Sequence, residues 1–228
     1  MKSSYINTKN ILTLIAFLLV AISGITVKQN FFFMLPLFIS ICVSFLSSEA
    51  NRYAYLIGGL NSIIYGFVYL NFNTYATALN AFLVSFPVQI VTFINWQKHA
   101  YKKSVCFKKM SVKLRIFVTI AFVTIWIASF IVLKSLGTDA AFLDNTSSLI
   151  GTLVTILQFF AFIEYTYLWI INAISIILLN IQLTLDDVTK ITYLIFSLYS
   201  AYCIVLSYIS VKKLYKEQNV KGDTQNEM

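Results

Sequence analysis

The chain has 228 residues, of which 59% are hydrophobic and 11% charged, and its mean hydropathy is +0.79. Soluble domains average roughly 25% charged residues, so these proportions exclude an ordinary water-soluble domain and favour lipid as the surrounding solvent. Glycine and proline are scarce, and the apolar runs exceed the ~10-residue strands of a transmembrane barrel, so the composition predicts an all-α membrane protein.

Eight apolar segments follow one another along the chain, and we interpret them as about eight transmembrane helices. They cover residues 11–27, 31–46, 54–71, 75–96, 114–133, 147–163, 167–183 and 191–211. Several are shorter than the ~20 residues that a straight span needs, so their polar flanks should enter the interface. The first segment, preceded by Lys2 and Lys9, also resembles a signal peptide, but its length favours a helix that is retained.

The net charge of +8 is concentrated in one loop and at the carboxyl end, a pattern that orients membrane proteins. The loop 97–113 and the tail 212–228 should be cytoplasmic, because four segments between them return the chain to the same side. Four more segments precede the loop, so both termini are predicted to be cytoplasmic in a multi-pass protein of the cell membrane. Four acids then lie outside: Asp139, Asp144, Asp186 and Asp187. A nucleic-acid partner is disfavoured, since no folded basic face is indicated.

A short internal echo suggests two repeats. The string YAYLI at residues 53–57 returns as YTYLW at 165–169, and Asn61 and Asn172 follow the two copies at similar distances. Such strings also repeat by chance, but each copy opens the middle helix of a group of three. We therefore predict two parallel three-helix bundles, a known transporter plan. The predicted divisions are an extra helix at 1–30, bundles at 31–96 and 145–211, a basic loop at 97–113, a linker helix at 114–134 and a tail at 212–228.

Polar side chains within the predicted spans are the candidate binding residues. A polar group inside the membrane is costly unless it bonds to a neighbouring helix or serves a function such as ligand binding. Tyr165, Trp169 and Asn172 share one face of the seventh segment. A tryptophan beside an amide suits a flat heterocyclic ligand, which stacks on the ring and bonds to the amide. An interfacial aromatic ring beside a helix-packing asparagine is the alternative.

Three further helices contribute candidates. Thr155 and Gln158 share a stripe of the sixth segment, where the threonine could instead bond its own backbone. Asn61 and Tyr65 share one face of the third segment, and Gln89 lies on the fourth beside Pro87, which should let that helix bend around a cavity. Trp96, at the end of the fourth segment, is predicted to anchor the helix at the membrane interface.

The sequence favours a transporter over an enzyme. It contains no phosphate-binding loop of the G-x-x-x-x-G-K-[ST] type, and its three cysteines are scattered singly, so neither a cofactor nor a metal is expected. No segment carries a credible catalytic cluster. Glu164 is the one acid near membrane depth, whereas ion-coupled pumps usually carry several, so facilitated diffusion is favoured over proton coupling. A non-transporting sensor or assembly protein is the rival class.

The stretch 76–179 resembles the PnuC family of vitamin B3-type transporters. The resemblance rests on Pro87-Val88-Gln89 ahead of Trp96, on Leu143-Asp144 before a helix, and on Glu164 followed by Trp169 and Asn172. The chain departs from the family pattern at Thr166, where relatives tend to carry a tryptophan, and Asn172 is one place out of register.

This resemblance implies a three-plus-one-plus-three helix fold related to the SWEET proteins. It further implies uptake of nicotinamide riboside by facilitated diffusion, with a cytoplasmic kinase trapping the product. The departures leave thiamine, riboflavin and deoxynucleosides as alternative substrates. The expected partners are a small-molecule substrate and the lipid bilayer, and a homo-oligomer is possible.

Overall fold

The protein is described by a computed structural model that covers residues 2–137 and 140–226, with side-chain environments for 8–137 and 140–220. Asp139 lies outside these residues. Eight helices occur in the described part of the chain, and the prediction of an all-helical protein is confirmed. They are α1 (Lys2–Thr26), α2 (Phe31–Ser47), α3 (Tyr53–Asn71), α4 (Tyr75–Lys98), α5 (Val112–Ser135), α6 (Ala141–Phe159), α7 (Tyr165–Asp186) and α8 (Ile191–Asn226).

Six of these helices are long and apolar enough to cross a membrane by length and composition, and α2 is a shorter apolar helix. Helix α6 does not meet that criterion, because its amino-terminal turns contain Asp144, Asn145 and the stretch 146–148. These polar side chains bond to neighbouring helices instead of facing lipid: Ser148 Oγ donates to Ala76 O at 2.9 Å, and Asn145 Nδ2 to Trp126 O at 2.9 Å.

Helix α4 changes its winding in the middle. A π-helical stretch at Asn80–Ser85 separates the α-helical turns Tyr75–Leu79 and Phe86–Lys98. Pro87, directly after the stretch, has no N–H to donate to the carbonyl one turn back, and π-helical turns accommodate such breaks in the hydrogen-bond ladder. The interruption that the proline predicts is therefore present.

The helices pack in two similar groups. In the first group (α2, α3 and α4), α3 contacts both of the others, and in the second group (α6, α7 and α8), α7 does the same. The groups meet where α2 packs on α8 and where α4 packs on α6. Helix α1 packs on α2 and α8, whereas α5 packs mainly on α6.

The loops collect at two ends of the bundle. At one end, Arg52 N donates to Lys103 O at 3.1 Å, and Lys108 N donates to Ala161 O at 3.0 Å. This end, which we call the basic end, carries twelve basic residues among the described side chains: Lys9, Arg52, Lys98, Lys102, Lys103, Lys108, Lys109, Lys113, Arg115, Lys212, Lys213 and Lys216. At the opposite end, Asp144 accepts hydrogen bonds from the amides of Ala76 and Thr77, and Thr192 bonds Gln29.

The basic loop contains a short hairpin that the sequence analysis did not predict. Ala100–Tyr101 pairs with Ser104–Val105 in antiparallel register. The carboxyl-terminal turns of α8 hold this hairpin, since helix α8 continues through the predicted tail as far as Asn226. Lys102 Nζ donates to Glu217 at 2.6 Å, and this hydrogen bond to the carboxylate raises the pKa of Lys102.

Helix α1 is fixed at the basic end by an ion pair between a buried lysine and a half-exposed glutamate. The Nζ of Lys9, a residue that is 5% exposed, bonds Glu49 Oε1 at 2.9 Å and Phe45 O at 3.0 Å. Further along α1, the hydroxyl groups of Thr13 and Tyr199 are 2.9 Å apart. The helix therefore joins both α2 and α8.

Candidate functional site

A cavity of about 280 Å³ lies between the two groups of helices, and residues from all six helices line it. Its volume is near the lower end of the ~300–1,000 Å³ of typical small-molecule pockets. Six of the seven candidate residues line this cavity: Asn61, Gln89, Thr155, Gln158, Trp169 and Asn172. None of the lining residues that the structure describes carries a charged side chain. The cavity wall is thus electrically neutral, and it combines polar side chains with apolar and aromatic ones.

The side chain of Asn61 is fixed by hydrogen bonds that its amide nitrogen donates. Its Nδ2 donates to Pro36 O at 2.9 Å and to Ser40 Oγ at 2.8 Å, and the residue is 3% exposed. Its Oδ1 is buried and has no partner among the described residues. A buried acceptor without a partner is costly, by roughly 1–3 kcal/mol, so this oxygen is suited to accept a hydrogen bond from an occupant of the cavity.

Asn172 presents a second acceptor from the other group. Its Oδ1 is likewise buried without a partner among the described residues. A Cβ atom placed on Gly151 would lie 3.5 Å from Asn172 Nδ2, so the two residues are in close contact across α6 and α7. The site therefore has two amide oxygens, one from each group, that can accept from a ligand.

Trp169 lines the cavity, whereas Tyr165 does not. Tyr165 is 1% exposed and lies behind Trp169, with ring centroids 6.0 Å apart. Four residues separate them on α7, so they share a face as predicted, but the tyrosine is one turn closer to the basic end. Tyr165 is therefore placed to support the ring of Trp169, and it does not contact a molecule bound in the cavity.

An apolar cluster closes the cavity towards the basic end. Trp96 packs against Tyr55 with ring centroids 4.5 Å apart and against Phe107 at 5.6 Å. Trp96 is 0% exposed, and its Nε1 donates to Gln158 O at 2.9 Å. The prediction that Trp96 anchors the helix at the membrane interface is therefore wrong, because a ring without exposed surface cannot reach the lipid headgroups.

Gln89 and Gly58 are in close contact across α3 and α4. A Cβ atom on Gly58 would lie only 2.6 Å from Gln89 Oε1, so the glycine provides the space that the glutamine side chain occupies. Thr155 Oγ1 donates to Gly151 O at 2.8 Å, which is the backbone bond that the alternative interpretation of this residue predicts.

Three tyrosines line the cavity towards the opposite end, and the sequence analysis noted one of them, Tyr65, but neither Tyr69 nor Tyr193. Tyr65 and Tyr69 stack with centroids 5.5 Å apart, and Tyr193 lies 6.4 Å from Tyr65. The hydroxyl of Tyr65 is buried without a partner among the described residues. Residues 61, 65 and 69 follow a four-residue spacing along α3, so the face that Asn61 shares with Tyr65 could have been extended to Tyr69.

The residues that line the cavity recur at a constant interval. Ten pairs of lining residues are 111 positions apart, and within each pair one residue belongs to the first group and the other to the second. The pairs are Ser40 and Gly151, Val43 and Val154, Ser47 and Gln158, Gly58 and Trp169, Asn61 and Asn172, Ser62 and Ala173, Tyr65 and Ile176, Tyr69 and Asn180, Ser85 and Phe196, and Gln89 and Ser200.

The model of the nicotinamide mononucleotide transporter family matches residues 30–212, which is most of the chain. The chain belongs to this family. The match begins after α1, so it covers both groups of helices and α5. The predicted kinship with PnuC transporters is confirmed, and the protein is a multi-pass membrane transporter.

The fold is similar to that of a solved family structure, described as the crystal structure of the vitamin B3 transporter PnuC. The two chains share 22% sequence identity with a TM-score of 0.79, and the likeness covers 92% of each chain. No curated protein matches the sequence. At this identity, the likeness shows the shared fold.

Proposed function

We propose that this family member takes up nicotinamide riboside through the cavity between the two groups of helices. The observation that carries the proposal is the uncharged cavity wall that contains Trp169 and two amide oxygens without a described partner. Membership of the nicotinamide mononucleotide transporter family supports a pyridine nucleoside or nucleotide as the substrate class.

The charge of the cavity wall favours the riboside over the mononucleotide. A phosphate monoester carries about −1.5 to −2 charges at pH 7, and burying such a charge without a cation is very unfavourable. No described lining residue is a lysine, arginine or histidine. The riboside lacks the phosphate, and its pyridinium ring is a cation, which aromatic faces and carbonyl oxygens attract.

The proposed contacts follow from the positions of the side chains. Trp169 stacks on the pyridinium ring, and Tyr165 supports the tryptophan from behind. Asn172, Gln158, Gln89 and Asn61 bond the ribose hydroxyls or the carboxamide, while Thr155 completes the wall of α6. The unpartnered Oδ1 atoms of the two asparagines accept from hydroxyl or amide donors, which every nucleoside of this type provides.

The same geometry supports a three-plus-one-plus-three architecture with alternating access. The ten lining pairs at an interval of 111 residues are what two parallel three-helix repeats around one central site would produce. Helix α5 is then the linker between the repeats. In this proposal the two bundles rock about the cavity, and the aromatic clusters on its two sides open in turn.

Facilitated diffusion is the proposed mode of transport, with phosphorylation in the cytoplasm trapping the product. Neither an acid nor a histidine is found among the described lining residues, and Glu164 lies outside the cavity, paired with Arg115. Proton coupling usually depends on such groups at membrane depth. The basic end, which we propose to be cytoplasmic, carries the first turns of α1 and the last turns of α8. A homo-oligomer stays a prediction.

Ligand-induced stabilisation of the purified protein tests this proposal. Nicotinamide riboside should raise the free energy of unfolding by roughly 2.7 kcal/mol at a hundredfold excess over its dissociation constant. Nicotinamide mononucleotide should have little effect at the same concentration. The variant Trp169→Ala should lose the response to the riboside, while Trp126→Phe, on α5 and away from the cavity, should keep it.

Other outcomes would redirect or contradict the proposal. Stabilisation by thiamine, riboflavin or a deoxynucleoside alone would assign a different substrate to the same cavity. A response to the mononucleotide that equals the response to the riboside would contradict the argument from charge. No response to any of these compounds would favour the rival class of a sensor or assembly protein.

A further inference from the structure

A groove separate from the substrate cavity lies where α5 meets α6 and α7 at the basic end. It encloses about 700 Å³, and its walls are Val118 and Phe122 of α5, Leu153 and Leu157 of α6, and Leu168 of α7. Lys109, Arg115 and the acid Glu164 line its mouth. We call this feature the linker groove.

The linker groove exists because α5 is attached to the second group unevenly. Towards the opposite end, α5 bonds α6 through Trp126 Nε1 to Thr146 Oγ1 at 3.1 Å and through Ser129 Oγ to Asn145 Oδ1 at 2.7 Å. Towards the basic end, the apolar side chains leave a gap, and the contact near the mouth is the ion pair between Arg115 and Glu164. In a membrane protein, a gap of this kind between apolar walls is open to lipid.

We propose that the linker groove binds an anionic phospholipid of the surrounding bilayer. The apolar walls suit an acyl chain, and the mouth suits a phosphate because Lys109 and Arg115 outnumber the one acid among the lining residues, Glu164, which leaves a net charge of +1. Basic pockets between transmembrane helices are known sites for acidic lipid headgroups. The charge at the mouth therefore selects an acidic headgroup over a zwitterionic one.

The bound lipid has a structural consequence for transport. Val118 and Phe122, the apolar side chains of α5 that line the groove, are only partly buried, so the lipid fills the space between α5 and the second group. Because α5 joins the two groups along the chain, the lipid stabilises the linker while the groups move. This inference depends on the membrane location and not on the identity of the substrate.

Native mass spectrometry of the detergent-purified protein tests the proposal with two probes of equal chain length, phosphatidylglycerol and phosphatidylcholine. The wild-type protein should retain phosphatidylglycerol preferentially. Lys109→Gln should weaken that preference by about fivefold, since one basic residue near an anionic lipid contributes about a factor of this size. Arg115 is left intact, because its loss would leave Glu164 without the ion pair.

Two controls separate the groove from general surface charge and from folding. Lys213→Gln makes the same change of charge at the basic end outside the linker groove, and it should leave the preference unchanged. Thr119→Phe should fill the groove without a change of charge and lower the retention of phosphatidylglycerol. Lys109→Gln and Thr119→Phe should both keep the stabilisation by nicotinamide riboside. A failure of the lipid proposal can therefore be distinguished from a failure of the proposed function.

Three results would overturn the proposal. Equal retention of the two lipids by the wild-type protein would show that the groove holds ordinary bilayer lipid without selecting a headgroup. Displacement of phosphatidylglycerol by soluble glycerol phosphate or inorganic phosphate would show an anion site without a lipid. Cross-linking of α5 to α5 between two copies, with loss of lipid binding, would show that a second copy fills the groove.

Discussion

The side chain of Asn61 is oriented by the acceptors that bind its Nδ2, and this orientation determines what the cavity offers a ligand. With both N–H groups bonded to Pro36 O and Ser40 Oγ, the remaining polar atom is an acceptor. The residue pattern of α3 identified Asn61 as a candidate, but it could not show which end of the amide faces the cavity. That information comes from α2, which is distant in sequence.

Replacing the acceptor tests this role. Asn61→Leu should weaken binding of nicotinamide riboside by roughly tenfold, because one hydrogen bond of about 1–2 kcal/mol is lost. Titration calorimetry with the purified variant measures the change. Asn71→Leu, the same substitution at the exposed end of α3, should leave the affinity unchanged. Equal effects of the two variants would exclude Asn61 from the binding site.

The close contact of Gly58 with Gln89 provides a second test at the residue scale. Gly58→Ala should displace the Gln89 side chain, since the added Cβ would lie 2.6 Å from Gln89 Oε1, and riboside affinity should fall severalfold. Gly151→Ala is the matched substitution on α6, where the nearest atoms lie at 3.5 Å, an ordinary contact distance. Competition binding should show a clearly smaller loss for Gly151→Ala, and the reverse order would contradict the assigned role of Gln89.

At the scale of elements, hydropathy predicted the centres of the helices better than their ends. Helix α6 begins six residues before the predicted segment, because Asp144 and its neighbours are satisfied by bonds to α4 and α5 that a sequence pattern cannot reveal. The prediction that Trp96 lies at the membrane interface was wrong for a similar reason. A tryptophan at the end of an apolar segment gives the same pattern whether it faces headgroups or packs inside the bundle.

The extension of α8 beyond residue 211 was also not predicted, because the polar sequence of its last turns was interpreted as a tail. Gln218 explains the extension: its Nε2 donates to Val105 O at 2.9 Å, and its Oε1 accepts from Phe107 N at 2.9 Å. Val105 and Phe107 are buried, so these backbone groups depend on Gln218. The last turns of α8 therefore hold the hairpin of the basic loop.

Removing that contact should destabilise the basic end. Gln218→Ala should cost about 1–3 kcal/mol in the free energy of unfolding, because two backbone groups lose their partner. Glu217→Gln, next to it, weakens a partly exposed ion pair with Lys102 and should lower the thermal midpoint by much less than Gln218→Ala. Thermal denaturation in detergent compares the two, and a greater loss for Glu217→Gln would refute the role given to Gln218.

At the scale of the whole molecule, a weak echo in the sequence corresponds to a regular arrangement around the cavity. Two strings of five residues suggested the repeat, whereas ten pairs of lining residues now support it. Most of these pairs differ in residue type, as in Gly58 and Trp169, so similarity between the halves was hard to detect in the sequence. The difference between a glycine and a tryptophan also makes the site asymmetric, which suits an asymmetric ligand.

The orientation in the membrane can be tested with the native cysteines. Cys106 is exposed in the basic loop, whereas Cys203 is buried. In a Cys42→Ser background, a membrane-impermeant maleimide should label Cys106 in intact cells only after the membrane is permeabilised. Labelling of Cys106 before permeabilisation would place the basic end outside and reverse the proposed orientation.

Uptake into proteoliposomes tests the central claim most directly. Radiolabelled nicotinamide riboside should enter saturably without ATP, stop at equal concentrations on both sides, and accumulate further only when a riboside kinase and ATP are enclosed. The rate should not change when the proton gradient is dissipated, and the mononucleotide should not enter. Accumulation against the gradient without the kinase, or entry of the mononucleotide at the same rate, would contradict the account.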